Sequence, residues 1–167
     1  MSIGGDPGRE PERDEVLDQL RALDVEFELV PCDPALADTA AFCEAYGYPV
    51  EDSVNTIIVV GKSEPRCYAA CAALATTRID VNGVVRKRLG TKKASFASAD
   101  ETVDLTGMAI GGVTPFALPD LALWIDPRVL DRERIIIGGG GRDRKLVLHP
   151  SALLELPRAE VVDDLAR

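Results

Sequence analysis

Ser53-Val54-Asn55-Thr56-Ile57-Ile58-Val59-Val60 and Arg66-Cys67-Tyr68-Ala69-Ala70-Cys71-Ala72-Ala73-Leu74-Ala75 are two β-rich runs separated by Gly61-Lys62-Ser63-Glu64-Pro65. Branched residues fill the first run and the linker carries turn chemistry, so the pair predicts a hairpin in the middle of a sheet. Cys67 and Cys71 fall on one face of the second run and read as small buried apolar residues.

Toward the N-terminus, Asp14 to Leu23 sets Val16, Leu17, Leu20 and Leu23 at helical spacing, and Val25 to Val30 alternates as a half-buried strand does. Asp33-Pro34 opens a turn, and Thr39 is placed to cap a helix through Phe42 and Ala45 to Gly47. Toward the C-terminus, Asp80 or Asn82 begins a short helix with Val84, Val85 and Leu89 inward and Gly90 at its stop. Ser98 and Glu101 form a capping-box pattern for a helix down to Leu105. Strands are expected at Leu121 to Ile125, Arg134 to Ile137 and Lys145 to His149, the last two joined through Gly138 to Gly141. A helix after Pro150, ending near Leu156, and a strand around Val161 complete the chain. This irregular interleaving points to an α/β fold of the α+β type, a mixed, mainly antiparallel sheet with flanking helices.

Size and charge narrow the function. The 167 residues suit one domain, read here as residues 13–167, with residues 1–12 rich in Gly, Pro and charge and expected to be disordered. The longest apolar run, Tyr68 to Ala75, is far too short to cross a bilayer and the start does not read as a signal peptide, so a cytoplasmic protein is expected. Four cysteines without a Cys-x-x-Cys pair, and one histidine, His149, argue against a zinc site. Net charge is −9, which disfavours general nucleic-acid binding. Against that background Arg78 to Lys93 is a basic island of six bases (Arg78, Arg86, Lys87, Arg88, Lys92, Lys93) and one acid, Asp80. It reads equally as a phosphate-contacting surface or a solvated helix face. Arg142, Arg144 and Lys145 form a second, weaker group.

The residues exclude several standard machines. No Gly-x-Ser-x-Gly elbow is present, Gly138 to Gly141 leads into a strand where a dinucleotide fingerprint needs a helix, and Gly61-Lys62-Ser63 lacks the upstream glycine of a phosphate loop. Gly107-Met-Ala-Ile-Gly-Gly-Val-Thr-Pro-Phe116 is the stretch with most to offer. Gly111 and Gly112 lay the backbone bare and Pro115 stiffens the exit, a geometry for aiming donors at a carbonyl or phosphate oxygen. A plain turn between strands explains the same residues, and this stretch alone leaves both open.

Four segments in order resemble the YbaK and prolyl-tRNA-synthetase-associated editing domain: Ser53 to Ile58, Arg88-Leu-Gly-Thr-Lys-Lys-Ala94, Gly111-Gly-Val-Thr-Pro115, and Arg134 to Ile137 running into Gly138-Gly139-Gly140. The resemblance spans roughly Asp24 to the C-terminus. It implies a curved, partly barrel-like sheet wrapped by helices, and hydrolysis in trans of the ester of mischarged tRNA, with tRNA for proline carrying a small amino acid as the expected substrate. It implies no metal and no cofactor, and often a catalytic part for the substrate's own ribose hydroxyl. Gly111 and Gly112 would polarise the ester carbonyl, with Asn55 beside them. Thr56, Val113, Thr114 and Pro115 would shape the aminoacyl pocket, and Gly138, Gly139 and Gly140 would lie by the terminal adenosine. Arg86, Lys87, Arg88, Lys92 and Lys93 would hold the acceptor end of aminoacyl-tRNA, and prolyl-tRNA synthetase is the implied protein partner. Many active members carry a lysine where this chain has Asn55, so Lys62 and Lys93 are considered as substitutes. Without that lysine the rival reading is a module of the same fold that binds tRNA or a nucleotide without cleaving it. A third reading is an unrelated small-molecule-binding domain.

Overall fold

The computed structural model describes residues 14–167; the disorder expected for residues 1–12 lies outside them. Helix α1 (Glu15–Ala22) starts at Asp14, whose carboxylate accepts from the Leu17 N–H, and it buries Val16 and Leu20. Strand β1 (Phe27–Pro31) begins later than the alternation suggested, because the Val25 N–H is spent on the Leu20 carbonyl in closing the helix. Helix α2 (Thr39–Tyr46) ends on Gly47 at φ 75°, as read. Its cap position is Asp38, one residue before the expected Thr39, and no side chain makes the capping bond.

Strands β2 (Val54–Gly61) and β3 (Cys67–Leu74) form the predicted antiparallel hairpin, with Val60 opposite Tyr68. Asp80, not Asn82, then caps the next turn by accepting from the N–H groups of Gly83 and Val84. A π-turn over Val81–Val85 leads into α3 (Arg86–Leu89), which stops at Gly90 with φ 69°. Strand β4 (Ala94–Phe96) is a short edge, and α4 (Ala99–Thr106) has the full reciprocal capping box between Ser98 and Glu101. Strands β5 (Ala122–Ile125), β6 (Ile135–Gly138), β7 (Arg144–Leu148) and β8 (Ala159–Val161) follow. The helix expected after Pro150 is of the 3-10 type, Pro150–Glu155, and ends at Leu156. Its bonds close three residues back, as in Ala152 N–H to the His149 carbonyl.

The strands make two sheets, ordered β4-β2-β3-β5-β8 and β1-β7-β6. Only the β3–β5 and β5–β8 ladders are parallel, so the fold is mixed and mainly antiparallel, as expected. Among the described residues the sheets are joined by one parallel bridge, Ser53 to Ile136, and do not close into a barrel. Ile58, Ile125, Ile135, Ile137, Leu146 and Leu153 pack the main core between them with Phe116. Among the described residues no helix is long and apolar enough to cross a membrane.

Asp52 locks the point where the sheets meet. Its buried carboxylate accepts from Arg132 Nη2 at 2.7 Å and lies 3.6 Å from Arg134 Nε, so two arginines entering β6 converge on the residue just before the bridge. Asp52→Ala is expected to lower unfolding stability by about 2 kcal/mol, read by urea denaturation, because it removes charged hydrogen bonds and leaves two cations unpaired.

Candidate functional site

Where the two sheets splay apart beyond the Ser53–Ile136 bridge, they leave a cavity of about 380 Å³. Its origin is an unequal pairing of β2. Strand β3 covers β2 along its whole length, but β4 reaches only Val59 to Gly61. The Ser53 carbonyl is taken by the Ala75 N–H. Strand alternation therefore commits the peptide groups of Asn55 and Ile57 to β3 and turns those of Thr56 toward the open edge. That edge is one wall, and Ile136, Ile137 and Gly138 of β6 are another. The residue that failed to cap α2 has its explanation here. Thr39 donates its hydroxyl to Asn55 Oδ1 at 2.9 Å, which leaves both Nδ2 donors of Asn55 free to face a ligand.

The cavity's charge comes from Lys145. Its side chain is only 7% exposed, its Nζ donates to the Gly111 carbonyl at 2.7 Å, and it stands 5.6 Å from the centre of the Phe42 ring. Among the described residues no carboxylate lies within ion-pair distance of it. Burial pushes its pKa below the ordinary lysine value; Cys32 opposes that fall, and the neighbouring Arg142 guanidinium adds a lesser push downward. Buried charges are ordinarily paired, so a lone ammonium in a cavity wall marks a site with work for it. Lys62 and Lys93, the substitutes considered from sequence, do not line the cavity.

The two glycine segments pack against each other, main chain on main chain. A Cβ on Gly138 would run into the Val113 carbonyl oxygen, and one on Gly112 would lie 2.6 Å from the Gly141 carbonyl carbon. The Gly140 N–H donates to the Gly112 carbonyl at 2.8 Å, knitting the segments together. This alters the role expected for the loop. The Gly112 N–H is already bonded to the Ala109 carbonyl, so it is not an open donor. Two cations instead hold successive carbonyls, Arg142 at Ile110 (2.6 Å) and Lys145 at Gly111 (2.7 Å). Two carbonyls of the loop are thus held by cations, while the Gly111 N–H, the Thr56 N–H on the open edge, Asn55 Nδ2 and the remaining protons of Lys145 are the donors left without a partner among the described residues.

The expected site residues thus divide. Asn55, Thr56, Gly111, Val113 and Gly138 line the cavity; Gly112, Gly139 and Gly140 support it from behind. Thr114 is fully buried and Pro115 borders a separate, smaller hollow with Gln19. The Thr56 and Thr114 hydroxyls are buried without a partner. None of Arg86, Lys87, Arg88, Lys92 and Lys93 enters the cavity. Arg86 bonds the carbonyls of Asn82 and Thr91, and Arg88 pairs with Glu160 while lying 5.1 Å over Trp124, so both are occupied. Lys87, Lys92 and Lys93 are exposed, and the described residues give them no ion pair. Arg144 is likewise structural, joined to Asp14, whose pKa it lowers, and to the Gly139 carbonyl.

Sequence reasoning had placed Lys145 in a weak basic group and had not singled out Phe42, Phe96 or Ile110, which also line the cavity. The available signal was phase. Lys145 shares a face of β7 with buried Val147, so an inward lysine could have been read from the alternation.

Comparisons with known proteins bear on the same region. ProXp-y of Escherichia coli K12, a multifunctional Ser/Thr-tRNA deacylase, is 32% identical over 77 residues, 45% of this chain and 46% of that protein. The match thus spans under half the length of the curated relatives, which include the same protein from Escherichia coli O157:H7. The crystal structure of hypothetical protein APE2540 superposes with a TM-score of 0.81 at 26% identity, covering 92% of this chain and 100% of that one. A candidate trans-editing enzyme for prolyl tRNA synthetase gives 0.76 at 24% identity, over 89% and 93%, and bears on fold alone. The model of the aminoacyl-tRNA editing domain matches residues 33–156, from the turn before α2 to the end of the 3-10 turn, and so takes in every wall of the cavity. On that match the chain belongs to the aminoacyl-tRNA editing domain family.

Proposed function

We propose that residues 13–167 form one domain that hydrolyses the ester of mischarged tRNA in trans. The observation that carries this reading is the unpaired ammonium of Lys145 in the wall of a cavity sized for a small aminoacyl group. Attack of water on the ester carbonyl carbon forms a C–O bond and places negative charge on the carbonyl oxygen. Lys145 stabilises that oxygen with a proton it does not spend on Gly111, and Asn55 Nδ2 supplies a second donor. Collapse breaks the bond to the ribose oxygen, which takes a proton, and releases the free amino acid and tRNA. Among the described residues the cavity wall holds no histidine and its one carboxylate, Asp38, lies at the rim, so the adjacent ribose hydroxyl of the substrate is the group that relays the proton. Asp38, at the cavity rim, accepts from the substrate's α-ammonium.

Phe42, Ile110, Val113 and Ile137 give the aminoacyl part apolar walls, which suits a short side chain. Such a pocket serves as a second sieve, since a synthetase cannot strongly reject a smaller or isosteric amino acid. Esters of alanine, serine, threonine and cysteine are the substrates expected from the family, and the relative's name supports the seryl and threonyl ones. tRNA for proline, and work beside prolyl-tRNA synthetase, remain the finer part of the proposal. A panel of alanyl-, cysteinyl-, seryl- and threonyl-tRNA for proline tests it. Hydrolysis of at least one ester by the natural protein is expected, with a fall of about tenfold or more in Asn55→Ala as one oxyanion donor goes. Tight tRNA binding with no hydrolysis across the panel would instead establish the binding module.

A further inference from the structure

A second cavity, of about 480 Å³, opens on the other side of Asn55. It shares Asn55, Ile57 and Phe96 with the first and continues to Thr77, Arg78 and Asn82. The two spaces therefore meet at the residue that presents free donors to the ester. We propose that the second cavity receives the 3′-terminal nucleoside of the tRNA, with its 5′-phosphate, while the first holds the aminoacyl group. The inference rests on the deacylase reading and assigns it a nucleotide subsite.

Three features fit this occupant. Phe96, on edge strand β4 opposite Val59, is 51% exposed at the junction, and no aromatic ring of the described residues stacks on it. An open aromatic face beside an ester site suits a base, and stacking of this kind tolerates any base. Arg78 is held in place by its main chain, which exchanges bonds with Arg167 at 2.7 and 2.8 Å, while its guanidinium has no partner among the described residues. It is thus free for a phosphate. Asp80 lies in the same wall, but its carboxylate is engaged by the N–H groups of Gly83 and Val84 and by Arg167. Past Asn82 the wall continues into α3, where Lys87, and Lys92 and Lys93 beyond it, carry the positive charge outward along a path for the preceding nucleotides. By contrast Gly139 and Gly140, the residues expected beside the adenosine, line neither cavity.

The test uses the full chain and two uncharged RNA microhelices, one with a single-stranded CCA end and one blunt-ended with no single-stranded 3′ nucleotides, with binding read by fluorescence anisotropy over a salt series. The natural protein is expected to bind the CCA form about tenfold more tightly. Phe96→Ala is expected to weaken CCA binding by about tenfold and leave binding of the blunt form unchanged. Arg78→Gln touches only the second cavity; it should lower the salt dependence of CCA binding by about one contact, again sparing the blunt form. Equal effects on both RNAs, or none on either, would overturn the subsite. Hydrolysis of aminoacyl-tRNA is measured on the same variants, so a subsite that fails while deacylation persists is distinguished from failure of the deacylase reading itself.

Discussion

Lys145→Met is expected to cut the deacylation rate by about a hundredfold or more, the scale on which single oxyanion donors act, while leaving the domain at least as stable. The two expectations pull in opposite directions, and that is what makes the variant informative. Methionine fills the same space over Phe42 without a charge, so it removes the burden of a buried ammonium that no described carboxylate balances. It also frees the Gly111 carbonyl, whose lost bond offsets part of that gain. A thermal melt and a single-turnover assay on the same preparation separate the terms. Unchanged turnover with a raised melting temperature would leave Lys145 a structural residue and remove it from the mechanism.

The pH dependence follows from the same burial. Because desolvation lowers the pKa of Lys145, the competent ammonium predominates below that lowered value and is lost above it. The enzymatic rate should therefore decline on the alkaline side before the ~10.4 of an unperturbed lysine is reached, a limb that the methionine variant lacks. Stability moves the other way. In the window between the lowered value and the ordinary one the unfolded chain binds the proton more readily, so stability contributed by this group rises with pH there.

Gly138→Ala should be the most damaging small substitution in the molecule. The added methyl meets the Val113 carbonyl oxygen and the carbon behind it, both main-chain atoms that cannot rotate away. Overpacking of this kind costs about 3 kcal/mol, and relief requires the glycine loop to leave β6, opening the cavity at its base. Loss of turnover is expected even where the protein remains folded in the assay, with stability followed by urea denaturation. Gly47→Ala is the matched control. It suffers the strain of φ 75° but meets nothing within 4 Å, so a cost of about 1 kcal/mol with activity intact is expected. Equal damage at the two positions would mean that the contact between the glycine segments has no part in shaping the site.

What the sequence disclosed depended on how far apart the interacting residues were. The hairpin of β2 and β3, the capping box at Ser98 and the stops at Gly47 and Gly90 are set within a few residues, and each was readable. The parallel pairing of β3 with β5 joins Cys71 to Trp124, and no local pattern announces such a partner. The site followed the same rule. The glycine segments stood out by composition and Asn55 by the family resemblance, while Thr39, read as a cap, is recognised as the partner of Asn55 only through a bond spanning sixteen positions. The alternation of β7 marks Lys145 as inward, but that it meets Phe42 and the Gly111 carbonyl is visible only once β7 lies beside β6. Of the basic island, sequence showed the charges but not that Arg86 and Arg88 already have partners.

The main-chain contact between the glycine segments also bears on how this scaffold can change its substrate. A wall built from the backbone of Gly111, Val113 and Gly138 offers few side chains to exchange, so most substitutions there break the wall without reshaping it. The facing side is built from side chains, chiefly Thr39, Phe42, Ile57 and Phe96, and these can vary in bulk and polarity without disturbing the contact. Selectivity among amino acids is therefore most open to adjustment from that side, with Ile110, Val113 and Ile137 the side chains available on the other. Engineers who wish to redirect the domain to a different ester should diversify α2 and the β2 edge and leave the glycines untouched.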